Sequence, residues 1–215
     1  MNLIRHKVLD QIRQDILSCG LPPGAELREA DLADQYDVSK SPIRDALQRL
    51  QFEGLVQTVP RRGHRVTPIS VSDASDILDM REALEVAAVQ RIAREADDTT
   101  LADLDQWRQA DVSNIRAFAT YNRDFHIMLA KLSGNRRLAS EMRRLLDAYE
   151  RLCIVSLERL SADKGDMSTA LEDHRAIISA MQARDARAAA KIVRRHVRHS
   201  RGHIMKGLEN RPIVD

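Results

Sequence analysis

The 215-residue chain is poor in the residues that form tight turns and aromatic cores. Aromatic residues make up only 3% of the sequence, and there are eight glycines and six prolines. A β-sandwich or barrel needs a tight turn roughly every 8–12 residues, so this composition disfavours an all-β fold. Leu, Ile, Val and Ala must therefore fill the core, which indicates a mainly α-helical protein.

Cysteines, long apolar runs and excess charge are also scarce. Cys19 and Cys153 fit neither a CxxC motif nor a disulfide framework, which predicts a reducing, cytoplasmic compartment. No segment approaches the roughly 18 consecutive apolar residues of a membrane span, and the N-terminus has an amphipathic helix pattern rather than a signal peptide. The net charge is only +2, so any nucleic-acid surface must come from a local patch.

The first 68 residues predict a winged helix-turn-helix domain. Helical spacing of apolar residues defines three helices, at 3–19, 29–36 and about 41–52. Two short strands follow, at 55–59 and 64–67, joined by the turn Pro60-Arg61-Arg62-Gly63. The second and third helices are joined by a tight turn and followed by a hairpin, an order that is typical of a winged DNA-binding fold.

The third helix and the turn carry a local excess of positive charge. Between Ser39 and Arg65 there are six Lys and Arg residues and two acids, so the segment has a charge of 6 − 2 = +4. Arg44 is suited to a bidentate contact with guanine. The other candidate DNA contacts are Ser39, Lys40 and Ser41 at the helix start, and Arg61, Arg62 and Gly63 at the wing tip. For any single arginine, a solvated basic surface is the alternative.

From residue 74 to about residue 210 the pattern is almost wholly helical. Segment 69–73 is predicted as a linker, and the following domain as an all-α bundle that binds an effector and dimerises. Its helices are predicted at 73–96, 99–110, 113–133, 135–161, 167–183 and 185–208.

Four polar residues of this helical part form a candidate metal site. Asn122 and His126 are four residues apart and share one face of a helix, and His174 and His196 lie on two later helices. Three imidazoles with one oxygen donor suit Zn²⁺, Ni²⁺ or a similar divalent ion. Spacing alone leaves open whether these are ordinary polar histidines. His199 and His203 are expected at a partly exposed, cation-rich helix end.

The stretch PPGAELREADLADQYDVSKSPIRDALQRLQFEGLVQTVPRRGHRV resembles the winged helix-turn-helix of GntR-family bacterial transcription regulators. The resemblance spans about 45 contiguous residues. It implies DNA contacts at Lys40, Arg44 and Gly63, with Ser39 and Ser41 on phosphates. Some members also use an arginine on the preceding helix, where this chain has Ala30.

The helical part resembles the FCD effector domain of the FadR-like branch of that family. The resemblance rests on Asn122-Arg123-Asp124-Phe125-His126, Leu132-Ser133-Gly134-Asn135 and Glu172-Asp173-His174. It implies a metal held by Asn122, His126, His174 and His196. Many members have Asp at the position of Asn122, and the weaker amide donor implies a lower metal affinity. About six helices resemble the smaller, VanR-type variant.

Residues 80–85, Met-Arg-Glu-Ala-Leu-Glu, resemble the first effector helix of the same family. The resemblance implies that Arg81 lies in the effector pocket and clamps the carboxylate of a small ligand. The alternative is that Arg81 is an ordinary surface cation.

The sequence therefore predicts a ligand-responsive transcription regulator, a repressor, rather than an enzyme. It would bind palindromic operator DNA as a homodimer, because one winged module makes too few contacts for tight specific binding. A small organic acid bound at the metal would control it. The alternatives are a regulator for which the ion itself is the signal, and a metal-dependent enzyme, for which no general base is identifiable beside the histidines.

Overall fold

The computed structural model describes residues 2–160 and 164–209 and is mainly helical, as the sequence predicts. The chain divides into two compact units, Met1–Ser70 and Val71–Asp215. The predicted boundaries at residues 1, 161 and 210 lie outside the described residues. None of the described helices is long and apolar enough to cross a membrane.

The first unit contains three helices and a small sheet. The helices are α1 (Asn2–Leu17), α2 (Glu29–Gln35) and α3 (Lys40–Phe52), and the strands are β1 (Glu26–Leu27), β2 (Val56–Val59) and β3 (Gly63–Val66). The apolar faces of α1 and α3 meet in a core that includes Ile12, Ile16, Ile43 and Leu47. Their helical spacing places these side chains on one face, so burying them fixes α3 against α1.

The sheet is antiparallel with strand order β1-β3-β2. The hairpin of β2 and β3 is the predicted wing. Strand β1, which was not predicted, pairs Glu26 with Arg65 and Leu27 with His64. A strand of two residues is too short to show the period-two alternation by which strands are recognised.

Two turns of this unit need left-handed backbone conformations. Asp37, between α2 and α3, has φ 51°, a conformation that aspartate tolerates better than most residues. In the wing turn, Arg61 has φ 64° and Gly63 has φ 89°. This geometry turns the chain sharply and leaves the side chains of Arg61 and Arg62 exposed at the wing tip.

The described part of the second unit contains six α-helices, the number that the FCD resemblance implies. They are α4 (Val71–Glu95), α5 (Asp98–Asp103), α6 (Ile115–Leu132), α7 (Arg136–Arg159), α8 (Lys164–Gln182) and α9 (Ala186–Glu209). Helix α4 packs against α6, α7, α8 and α9. It begins at Val71, within the segment 69–73 that the sequence predicts as a linker.

The helix predicted at 99–110 is shorter in the structure. Helix α5 ends at Asp103 and continues as a 3₁₀ helix over Leu104–Trp107. Side-chain amides take two of the carbonyls that a longer α-helix would use: Gln182 donates to Leu101 O at 2.9 Å, and Gln106 donates to Asp103 O at 2.8 Å. These local bonds compete with the α-helical ladder and end it.

Gly207 of α9 provides a test of the packing between α9 and α7. A Cβ atom at Gly207 would lie 2.7 Å from Cα and Cβ of Ser156. We expect Gly207→Ala to lower the free energy of unfolding by about 1–3 kcal/mol through overpacking. At Gly202, on the same helix, no atom lies within 4 Å of an added Cβ.

Gly202→Ala is the matched control and should raise stability by up to about 1 kcal/mol, because alanine is the better helix former. Urea denaturation followed by circular dichroism measures both. Equal stability of the two variants would contradict the close approach of α9 and α7.

Candidate metal centre and nucleic-acid interface

Helix α3 carries the predicted DNA-contacting residues of the first unit. Ser39 has extended backbone angles (φ −70°, ψ 165°) and occupies the N-cap position, but its side chain makes no capping hydrogen bond. Lys40, Ser41 and Arg44 are exposed on the first turns of the helix, while Pro42 and Ile43 are buried beneath them. The helix therefore presents its polar face outward, starting at its N-terminus, as a major-groove reader must.

Arg44 is held in a bidentate ion pair that the sequence did not reveal. Its Nε donates to Glu29 Oε1 at 3.0 Å, and its Nη2 donates to Glu29 Oε2 at 2.7 Å. The hydrogen bond from Arg44 is the main reason why the pKa of the Glu29 carboxyl is lowered. Glu29 starts α2, so the pair links the two helices of the helix-turn-helix.

In the second unit, His126 of α6, His174 of α8 and His196 of α9 come together in the core. One ring nitrogen of each lies within 4.8 Å of the others, and no ring is more than 1% exposed. We call these three residues the histidine cluster. Three different helices thus place three imidazoles around one point.

Each imidazole of the cluster has an oxygen next to its Nδ1 atom. These distances are 3.1 Å from His126 to Glu85 Oε1, 3.3 Å from His174 to Tyr121 Oη and 3.6 Å from His196 to Asp173 Oδ2. Of the three, only the Tyr121 contact is a hydrogen bond, since His126 Nδ1 and Asp173 Oδ2 make none within the described part of the chain. An oxygen beside Nδ1 is common in histidine metal sites, where Nε2 binds the ion. None of these three neighbours was predicted from the sequence, although Asp173 is adjacent to His174.

Asn122 is buried one turn before His126 on α6. Its Nδ2 atom and the Nε2 atom of His174 make no hydrogen bond to any described residue. Buried polar atoms without partners are uncommon and costly, so these two atoms could serve a ligand.

Arg81 lies in the same core and is fully buried, so its interpretation as a surface cation is wrong. Its Nε donates to Glu85 Oε1 at 2.5 Å, and its Nη2 lies 2.6 Å from His126 Nε2 and 3.0 Å from His196 Nε2. The guanidinium carbon is 4.2 Å from the ring centre of Tyr149. Arg81 Nη1 makes no hydrogen bond within the described part of the chain.

Burial controls the charge of these groups. It lowers the pKa of His126 to about 3, and the pKa values of His174 and His196 are also lowered mainly by burial. Burial alone would raise the pKa of Glu85, but the charge of Arg81, with His126 next, outweighs it and lowers that pKa to about 2. At neutral pH the centre therefore holds an ionised Arg81–Glu85 pair and three neutral imidazoles.

These residues fit a divalent metal ion of the zinc or nickel type. Neutral imidazoles are its preferred nitrogen donors, and His174 Nε2 has no other partner. Two of the three donor atoms face Arg81 Nη2, so an ion and this guanidinium compete for the same lone pairs.

His199 and His203 lie outside the histidine cluster. The His199 side chain is 50% exposed, and its Nδ1 is 3.4 Å from Asp173 Oδ2. His203 is partly buried two turns beyond His196 on α9. Both positions agree with the expected partly exposed helix end.

Two family models match this chain. The FCD domain matches residues 76–199, and the model described as bacterial regulatory proteins, gntR family, matches residues 4–66. Together they cover most of both units.

Curated relatives are similar over nearly the whole chain. The uncharacterised HTH-type transcriptional regulator YdhC of Bacillus subtilis is 28% identical over 208 residues, covering 93% of this chain and 90% of that protein. The HTH-type transcriptional repressor RspR of Escherichia coli is 26% identical over 199 residues, covering 90% of this chain and 86% of that repressor.

Solved structures share the fold. McbR/YncC of Escherichia coli has a TM-score of 0.82 at 19% identity, with 96% of this chain and 98% of that chain covered. A transcriptional regulator GntR from Rhodococcus sp. RHA1 has a TM-score of 0.80 at 22% identity, with 97% and 99% covered.

The neutral, buried state of His126 predicts a pH dependence of stability. Its pKa is lower in the folded than in the unfolded state, so the unfolded chain binds more protons below the ordinary value of roughly 6.5. The free energy of unfolding of the metal-free protein should therefore decrease as the pH is lowered. For this residue the decrease should be about 2 kcal/mol between pH 6.5 and pH 5.

Urea denaturation at pH 7, 6 and 5 measures this dependence. His126→Gln should show a weaker dependence, whereas His199→Gln, changed at a half-exposed position, should keep that of the wild type. An identical dependence in His126→Gln would show that His126 is not held neutral.

Proposed function

Because the chain belongs to the GntR family of bacterial regulatory proteins and carries an FCD domain, we propose that it is a ligand-responsive transcriptional repressor. The observation that carries the proposal is that exposed cations lie on α3 and the wing of one unit, while the buried histidine cluster lies in the other. Residues 1–68 would bind DNA, and residues 74–210 would bind the effector and dimerise. The family and the relatives are transcription regulators rather than enzymes.

The DNA-binding surface would consist of α3 and the wing. Arg44 reads a guanine in the major groove, and the wing follows the DNA backbone. The proposed contacts are Ser39, Lys40, Ser41, Arg44, Arg61, Arg62 and Gly63. Binding would take place in the cytoplasm, where bacterial DNA is found.

A homodimer on a palindromic operator follows from the size of this surface. One winged module buries too little DNA for tight specific binding, and a two-fold axis doubles the contacts. Two relatives, RspR and GlaR of Escherichia coli, are named repressors, which supports repression as the output.

The histidine cluster would hold a divalent ion, zinc, nickel or similar, with the Asn122 side chain as an oxygen donor. When bound, such an ion supplies a positive centre for an anionic ligand. Glu85, Tyr121 and Asp173 would orient the three imidazoles through their Nδ1 atoms.

The effector would be a small organic acid. Arg81 Nη1 and Asn122 Nδ2 are buried hydrogen-bond donors without partners among the described residues, and a carboxylate is the acceptor that suits both. A ligand that binds one arrangement of the helices better than the other shifts their populations and thereby DNA affinity.

A regulator that senses the ion itself is the second candidate. It is favoured by Arg81, whose Nη2 already contacts two imidazoles and whose Nε is bound to Glu85. Metal binding alone would break the two imidazole contacts and rearrange α4. Operator affinity measured against Zn²⁺ without any organic acid separates the candidates, since only an ion sensor responds.

Arg44→Ala tests the reading role. On an operator selected from random DNA by the wild-type protein, we expect a loss of about 1–3 kcal/mol per half-site, because a bidentate contact with one base pair is lost. Fluorescence anisotropy measures the dissociation constant. Arg137→Ala, at an exposed arginine of α7, is the control and should bind as the wild type does. Unchanged affinity of Arg44→Ala would exclude Arg44 as a reader.

His174→Ala tests the metal site. After equal loading with Zn²⁺ and dialysis, the wild type should retain the ion and gain thermal stability, because an ion that binds only the folded state stabilises it. His174→Ala should lose both, and His199→Ala, changed outside the histidine cluster, should keep both. Elemental analysis of the wild type and the two variants measures the bound zinc. Equal metal content in all three proteins would contradict the proposed site.

A further inference from the structure

The Glu29–Arg44 pair uses one defined edge of the arginine. The described hydrogen bonds of the Arg44 side chain run from Nε and Nη2, both to the Glu29 carboxylate. These two atoms form the side edge of the planar guanidinium. The end edge, made of Nη1 and the outer hydrogen of Nη2, is a second fork with the same spacing of donors.

The end edge is the part of an arginine that can reach a base. A guanine offers O6 and N7 as neighbouring acceptors in the major groove, and the end fork matches them without disturbing the carboxylate on the side edge. The Arg44 side chain is 60% exposed and the Glu29 side chain only 25%, so the arginine is the more accessible partner. Glu29 and a guanine can thus hold Arg44 at the same time.

Fixing an arginine before binding favours specific recognition. A free arginine side chain has several torsions, which must be ordered when it meets one base, and an exposed ion pair contributes little to folding stability by itself. Two hydrogen bonds to Glu29 order the guanidinium plane in advance. They also restrain Arg44 from bending toward a phosphate, which would bind DNA of any sequence.

The charge of Glu29 acts in the opposite direction on general DNA affinity. A carboxylate beside the recognition helix repels phosphates and neutralises part of the Arg44 charge. Removing this charge should therefore leave binding to random DNA unchanged or tighter. A positioning role and a simple electrostatic role thus predict changes of opposite sign on the operator.

We propose that Glu29 is a positioning residue that holds Arg44 for guanine and thereby sets sequence specificity. The proposal rests on the DNA-reading role proposed for Arg44. Its measurable quantity is the specificity ratio, the dissociation constant for random duplex divided by that for the selected operator.

The experiment compares Glu29→Gln with Asp31→Asn. Asp31 is exposed on the same helix and lies two residues, about 200°, around it, so its change removes an equal charge without touching the Arg44 pair. We expect Glu29→Gln to lower the specificity ratio on the order of fivefold or more. We expect Asp31→Asn to preserve the ratio.

Single base-pair changes in the operator locate the guanine. At the position where Arg44→Ala loses discrimination, Glu29→Gln should lose it too, and the double variant should be no worse than Arg44→Ala alone. If Glu29→Gln keeps the wild-type specificity ratio while the ratio of Arg44→Ala falls, the positioning role is overturned and the proposed function stays intact. A wild-type ratio in Arg44→Ala would instead overturn the reading role on which the proposal rests.

Discussion

A buried, ionised pair of Arg81 and Glu85 is the constraint on which the helical unit depends. Removing two charges from water costs several kcal/mol for each ion, and the cost is offset only if both find close partners. Glu85 lies beside Arg81 on α4, and the other partners of Arg81 are His126 of α6, Tyr149 of α7 and His196 of α9. The need to satisfy one guanidinium therefore fixes three further helices relative to α4.

The same constraint connects packing with ligand binding. The burial that isolates the ion pair also keeps the imidazoles neutral, which is the state that binds a metal. A ligand that takes the imidazole lone pairs must change the hydrogen bonds of Arg81, and hence those of α4. Helix α4 follows the last strand of the DNA-binding unit after only four residues, 67–70.

Patterns within one helix were predictable from the sequence, and pairings between distant residues were not. Apolar spacing gave the order of the helices and the hairpin, and the FCD resemblance pointed to His126, His174, His196 and Arg81. Strand β1 is too short for a periodic signal. The early end of α5 depends on Gln182, which is about 80 residues away in sequence.

The partners of the functional residues were missed for the same reason. Glu29 and Arg44 are 15 residues apart and meet only because α2 and α3 cross in the helix-turn-helix. Glu85 is four residues from Arg81, so the sequence allows an (i, i+4) ion pair between them. The burial of this pair could not be predicted, because buried charges are rare. The role of Glu85 becomes clear only from the structure, in which His126 lies beside it.

The proposed binding of a single metal ion by the histidine cluster can be tested by spectroscopy. Zinc K-edge X-ray absorption, on protein stripped of metal and reloaded with one equivalent of Zn²⁺, tests it most directly. We expect one ion per chain, with multiple-scattering features of three imidazoles whose nitrogens lie at roughly 2.0–2.1 Å. A zinc spectrum with one imidazole or none would contradict it.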